Sequence, residues 1–147
     1  MNKIKHPIII LIFRLILGFV MIYASFDKIS NPKDFADIVQ NYHAIPYSLT
    51  NLVAIFLPWL ELCVGACLIL GIFVDGASLI NLVLMGMFII LLSQALIRGI
   101  DVECGCFTVS EEGSKIALQR VMEDILFLGM TYLVFTRKER KYELFTK

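Results

Sequence analysis

An all-helical integral membrane fold, a four-helix bundle with one short interfacial helix, is what this sequence predicts, and three observations predict it. Apolar residues make up 59% of the 147 residues against 18% charged, with a mean hydropathy of +0.80, a balance outside the range of soluble globular domains. Four stretches, 8–26, 51–73, 77–97 and 116–135, reach the roughly 20 apolar residues with which a helix crosses about 30 Å of hydrocarbon. The longest connection, Asp27 to Thr50, leaves room for one short surface helix and no soluble domain, so 1–147 reads as a single transmembrane domain.

The first stretch follows Lys3 and Lys5 but is too long for a secretory signal core, contains Arg14 and lacks a small-residue cleavage pattern, so it reads as a retained signal-anchor helix. Arg14 is expected to snorkel to the cytoplasmic interface. In the connection that follows, Asn31-Pro32 is an N-cap followed by proline at the first helical position. Phe35, Ile38, Val39 and Tyr42 then recur at helical spacing, with Lys33, Asp34, Asp37 and Gln40 on the other face, which predicts a helix lying on the membrane surface. Pro46 and the Asn51 region turn the chain into the second span. There Pro58 is expected to bend the axis just outside Glu61, and Gly65, Gly71 and Gly86 read as sites of close helix contact.

Lys3, Lys5, Arg137, Lys138, Arg140, Lys141 and Lys147 lie at the two termini, against Lys28, Lys33, Arg98 and Lys115 in the longer loops. Basic residues near span ends stay in the cytoplasm, so the reading is a multi-pass protein of the cell (inner) membrane with both termini cytoplasmic. Of the charges within the spans, Arg120 and Asp124 stand four apart on one helix face, and Glu61 is set at a similar depth on the second span. Ionisable groups at such depth face a bundle interior. The cluster serves either to pin the helices or to bind a polar headgroup or move protons.

The chemistry-bearing motif is Cys104-Gly105-Cys106, two thiols one residue apart between the third and fourth spans. A ring closed across a single glycine is small and strained, and a strained disulfide exchanges readily with other thiols. On the predicted topology it faces the oxidising side. Redox exchange is the leading reading, beside a merely structural disulfide or metal binding, for which two thiolates without a nearby His or Cys pair are a poor zinc site; no metal is expected. Cys63 and Cys67, one turn apart on the second span, read as packing residues. A relay through them requires sulfur to touch sulfur, with Cys63 already about 18 Å down the helix.

Arg14-Leu15-x-Leu17-Gly18, Asp27-Lys28-Ile29-x-Asn31-Pro32, Phe35, Tyr42, Pro46 and Glu61-Leu62-x-x-Gly65 with Leu68 and Gly71 resemble the DoxX-like membrane proteins. Asp101-x-x-Cys104-Gly105-Cys106-Phe107 with Arg120 and Asp124 resembles their MauE branch. Thr108 and Ala24 stand where that group commonly has glycine. The resemblance implies a four-helix membrane protein tied to disulfide chemistry beside a thioredoxin-like partner outside the cytoplasm. Cys104 and Cys106 would be its redox pair, presented by the loop with Gly105 and Phe107, and Glu61, Arg120 and Asp124 its supporting polar site. The chain has no glycine-rich dinucleotide loop, haem-attachment motif or cluster-type cysteine array; analogy with other four-helix disulfide-generating membrane proteins implies a lipid-soluble quinone as electron acceptor, the alternative being that the partner protein holds the rest of the pathway. Besides the lipid bilayer, further copies of the chain are compatible partners, and no nucleic acid is expected. Two other function classes stay open: a membrane scaffold or assembly factor with a structural Cys-Gly-Cys disulfide, and a small-molecule carrier using the polar cluster.

Overall fold

The computed structural model describes residues 7–41, 46–98, 111–137 and 143–144. Within them the fold is all-helical, with no strand and five helices: α1 (Pro7–Ser30), α2 (Pro32–Asn41), α3 (Tyr47–Leu70), α4 (Val74–Arg98) and α5 (Glu111–Phe135). Three are long and apolar enough to cross a membrane, α1, α3 and the 74–94 part of α4. The stretch 116–135 is helical as expected, but Arg120, Glu123 and Asp124 interrupt its apolar run.

Local chemistry explains most boundaries. Proline at the first position of α2 loses no helical hydrogen bond, because the first N–H groups of a helix have no partner in any case. The Phe35 N–H reaches the Asn31 carbonyl at 3.2 Å and opens the helix, with Phe35, Ile38 and Val39 turned inward and Lys33, Asp34 and Asp37 exposed. Pro46 precedes α3, which starts four residues before the expected 51 and runs unbroken through Pro58. At its other end Gly71 adopts φ 74°, and the N–H groups of Gly71 and Ile72 both reach the Cys67 carbonyl, at 2.9 and 3.0 Å. That closure needs a left-handed residue, which glycine supplies cheaply. Gly71 therefore stops the second span at Leu70, where the sequence predicted continuation to Phe73.

α1 also departs from expectation. It runs through Asp27 and Lys28 to Ser30 and is separated from α2 by Asn31 alone. Lys28 accordingly belongs to a helix and not to a loop.

α1 packs chiefly on α3, α4 on α5, and smaller contacts join α3 to α4 and α1 to α5. The α1–α3 contact is backbone on backbone: a Cβ on Gly18 would stand 2.8 Å from the Gly65 carbonyl oxygen, and one on Gly65 would stand 2.8 Å from that of Gly18. Gly65 thus fulfils its predicted role. Gly86 does not, since a Cβ there meets nothing within 4 Å. Ile10, Leu17, Met21, Val64, Leu68, Leu84 and Val134 form the interior. The outward faces stay apolar, as on α1 with Ile8, Ile12, Ile16, Phe19, Tyr23 and Phe26. In hydrocarbon, lipid tails solvate such side chains as well as a core does, so close packing and polar bonds decide how the helices meet.

Candidate functional site

α1 and α3 run antiparallel, which brings the C-terminal end of α1 beside the middle of α3, on the side of the molecule called here the Asn31 end. The Lys28 ammonium lies 2.6 Å from Oε1 and 2.9 Å from Oε2 of Glu61. It also lies over two rings, 4.7 Å from the centre of Phe88 on α4 and 5.2 Å from that of Phe35 on α2. Three other helices, α2, α3 and α4, therefore each contribute one side chain to the surroundings of this one cation. The Glu61 side chain is 1% exposed and that of Lys28 21%. A carboxylate so deep is tolerable only with a partner that repays its desolvation, and the ring faces add an attraction of about 2 kcal/mol when water is excluded.

At the opposite, Gly71 end a second ionic group forms. Arg14 is 1% exposed, and its Nε donates to the Leu68 carbonyl at 3.1 Å. Arg137 donates from Nη1 to the Val134 carbonyl at 2.8 Å and from Nε to Glu143, and Nη1 stands 3.0 Å from Asp75. The Leu144 N–H closes the arrangement on the Gly71 carbonyl at 3.0 Å. Arg14 thus does not snorkel outward; the open carbonyls at the end of α3 hold it inside. Arg137, expected among the solvated basic residues at the terminus, is likewise buried. Between the two ends, Asn81 donates to Thr131 at 2.8 Å, and Thr131 donates to the Phe127 carbonyl at 2.8 Å.

Of the site residues expected from the sequence, Cys104, Gly105, Cys106 and Phe107 lie outside the described residues. Glu61 pairs with Lys28. Arg120, two-thirds exposed, pairs with Glu123 at 3.4 Å, and Asp124, half-buried, lies within electrostatic reach of Glu123, Arg120 and Lys28. Cys63 is exposed, whereas Cys67 is partly buried against the interior cluster. Lys28 is the residue the sequence reading missed. A signal for it existed, since it stands 14 residues after Arg14, two heptads along the stripe of Ile10, Leu17 and Met21.

Three helices long and apolar enough to cross a membrane, with apolar side chains on their outward faces, define the class: an all-helical membrane protein. Within it, the chain belongs to the family of the methylamine utilisation protein MauE, whose profile matches residues 6–137. It is 29% identical over 108 residues to methylamine utilization protein MauE of Methylorubrum extorquens, covering 73% of this chain and 58% of that one. To that of Methylophilus methylotrophus it is 27% identical over 135 residues, covering 90% and 70%. To that of Paracoccus denitrificans it is 26% identical over 103 residues, covering 69% and 55%. The chain thus spans a little over half to about two-thirds of the length of these relatives. No solved structure matches it.

Proposed function

We propose that this chain is a multi-pass inner-membrane protein that exchanges disulfides, through Cys104 and Cys106, with a thioredoxin-like partner outside the cytoplasm. In this reading α1, α3, α4 and α5 are four spanning helices, α2 lies at the membrane surface and both termini are cytoplasmic. The continuous outward apolar face of α5, with Leu118, Met122, Ile125, Leu126, Tyr132 and Phe135, supports counting it as a span despite its charges. The DoxX-like grouping belongs to the same proposal.

The observation that carries the reading is the Cys-Gly-Cys spacing within the segment joining α4 to α5. Those two helix ends lie on the Asn31 side of the molecule, about 15 Å past the level of Lys28 along α4, since α4 returns antiparallel to α3 after the Gly71 turn and Asn81 pairs with Thr131 across to α5. Written in the oxidising direction, a partner thiolate attacks one sulfur of the Cys104–Cys106 disulfide, and the partner's second thiol resolves the mixed disulfide. The partner leaves oxidised, and two electrons and two protons stay on the cysteine pair. A quinone reached from the bilayer regenerates the disulfide by taking up both electrons and both protons as quinol. Cys63 and Cys67 stand outside this cycle.

The test is trapping. Single Cys104→Ser and Cys106→Ser variants are expected to accumulate a mixed disulfide with a thioredoxin-like protein on non-reducing gels, and the double variant to accumulate none. A double variant that still retains its partner non-covalently, with no mixed disulfide from either single variant, selects the scaffold reading instead.

A further inference from the structure

We propose that the Gly71 end is a binding site for a phosphate group, and that in this structure the chain's own Glu143 occupies it. Arg137 is the centre of the site. Its side chain is 2% exposed, its Nε donates to Glu143, and its Nη1 is taken by the Val134 carbonyl and Asp75. Nη2 is buried with no hydrogen-bond acceptor among the described residues. A guanidinium presents Nε and Nη2 side by side, as a fork for two oxygens of one anion. Glu143 fills only the Nε prong.

A second buried cation stands at the same place. Arg14 of α1, 1% exposed, gives Nε to the Leu68 carbonyl at 3.1 Å. Three residues on, the Gly71 carbonyl takes the Leu144 N–H at 3.0 Å, so Arg14 and the Glu143–Leu144 segment meet at one end of α3. Of the charged groups around Arg14, Glu143 acts on it most strongly and Arg137 next. With Glu143 lifted out, Asp75 is the carboxylate left on Arg137, and it is half exposed and solvated by water. Two buried guanidiniums beside one wet carboxylate attract a further anion.

Glu143 is held less firmly than the arginines are. Its segment is tied by the Arg137 contact and the Leu144 backbone bond, and the Leu144 side chain is 66% exposed. A phosphate group suits the fork better, because its several oxygens reach Nε and Nη2 together. The surroundings put that chemistry at hand. Exposed Leu70 and Phe73 around the turn after α3, with exposed Tyr132 and Phe135 at the end of α5, mark the level where hydrocarbon meets headgroups. Lipid phosphates therefore lie beside the two arginines. Binding exchanges one anion for another, with no covalent bond made or broken, and the site does not depend on the thiol reading above.

The experiment follows thermal unfolding of the full-length chain in detergent micelles while one of four probes is added: sodium phosphate, dioctanoyl phosphatidic acid, dioctanoyl glycerol, or sodium chloride at matched ionic strength. A ligand of the folded state raises the unfolding midpoint with its concentration, which yields a dissociation constant. A phosphate-bearing probe should raise it, and dioctanoyl glycerol and chloride should not. Glu143→Gln removes the resident carboxylate and should tighten the phosphate-bearing probe about tenfold, since the tail no longer competes. Adding Arg137→Lys, which keeps the charge and loses the fork, should cancel that gain; if that variant does not fold, the Glu143→Gln comparison decides alone. A rise with both phosphate-bearing probes assigns the site to a phosphate free in solution as well, and a rise with the phosphatidic acid alone assigns it to a lipid headgroup. An unchanged dissociation constant in Glu143→Gln, or no rise beyond that given by chloride and dioctanoyl glycerol, overturns the proposal.

Discussion

The Gly71 end and the Asn31 end both bury ions, yet they are built on different arithmetic. At the Gly71 end two guanidiniums, Arg14 and Arg137, meet two carboxylates, Asp75 and Glu143, and backbone carbonyls of Leu68 and Val134 take further N–H groups. The charges cancel, and arginine releases no proton at any ordinary pH. At the Asn31 end one lysine gives both its short contacts to a single carboxylate, between two aromatic rings. The first arrangement spreads two cations over two carboxylates and two backbone carbonyls, and the second confines one cation to one carboxylate. Ionic burial thus takes two forms in one bundle, and the number of partners each cation holds separates them.

The largest effect expected from breaking this contrast is at the Gly71 end. Arg137→Met removes the cation that joins Asp75, Glu143 and the Val134 carbonyl and should cost about 3–5 kcal/mol of unfolding free energy, read in vesicles or detergent. Lys28→Met should cost less, because the ammonium holds one carboxylate where Arg137 holds two. Equal losses at the two ends would erase the distinction. Next in size is Gly65→Val, where the new side chain meets the Gly18 backbone and Ile22. A loss of about 1–3 kcal/mol is expected, and a cross-link between cysteines placed on facing positions of α1 and α3 should form more slowly. If the cross-linking rate is unchanged, that contact does not set the register that aligns both ends. The smallest effect belongs to the level between them: Thr131→Val removes the acceptor for Asn81 and should cost about 0.6 kcal/mol, and a much larger loss would mean that the two ends communicate through that bond.

The helices were legible because their causes are local. Asn31-Pro32 announces the start of α2, and the α1 stripe of Ile10, Arg14, Leu17 and Met21 can be read from spacing alone. Gly71 was legible as important but misread: a glycine that lets helices touch and one that ends a helix look alike in a string of letters, and only its φ of 74° separates them. The site was half legible. Glu61 was rightly placed among the interior charges, but the pair Arg120–Asp124 was drawn from spacing, and spacing serves Arg120–Glu123 equally well.

What the sequence determined by itself is a membrane-embedded, all-helical chain with a Cys-Gly-Cys segment between its last two long helices, because composition, period and turn residues act within a few positions of one another. Tertiary structure decided which charges meet. Lys28 looked like the polar end of a span until α1 continued to Ser30 and the Gly18–Gly65 contact drew α1 and α3 together, which brought the ammonium onto a carboxylate 33 residues away. Long side chains choose partners by distance in space, and that distance exists only once the helices have packed.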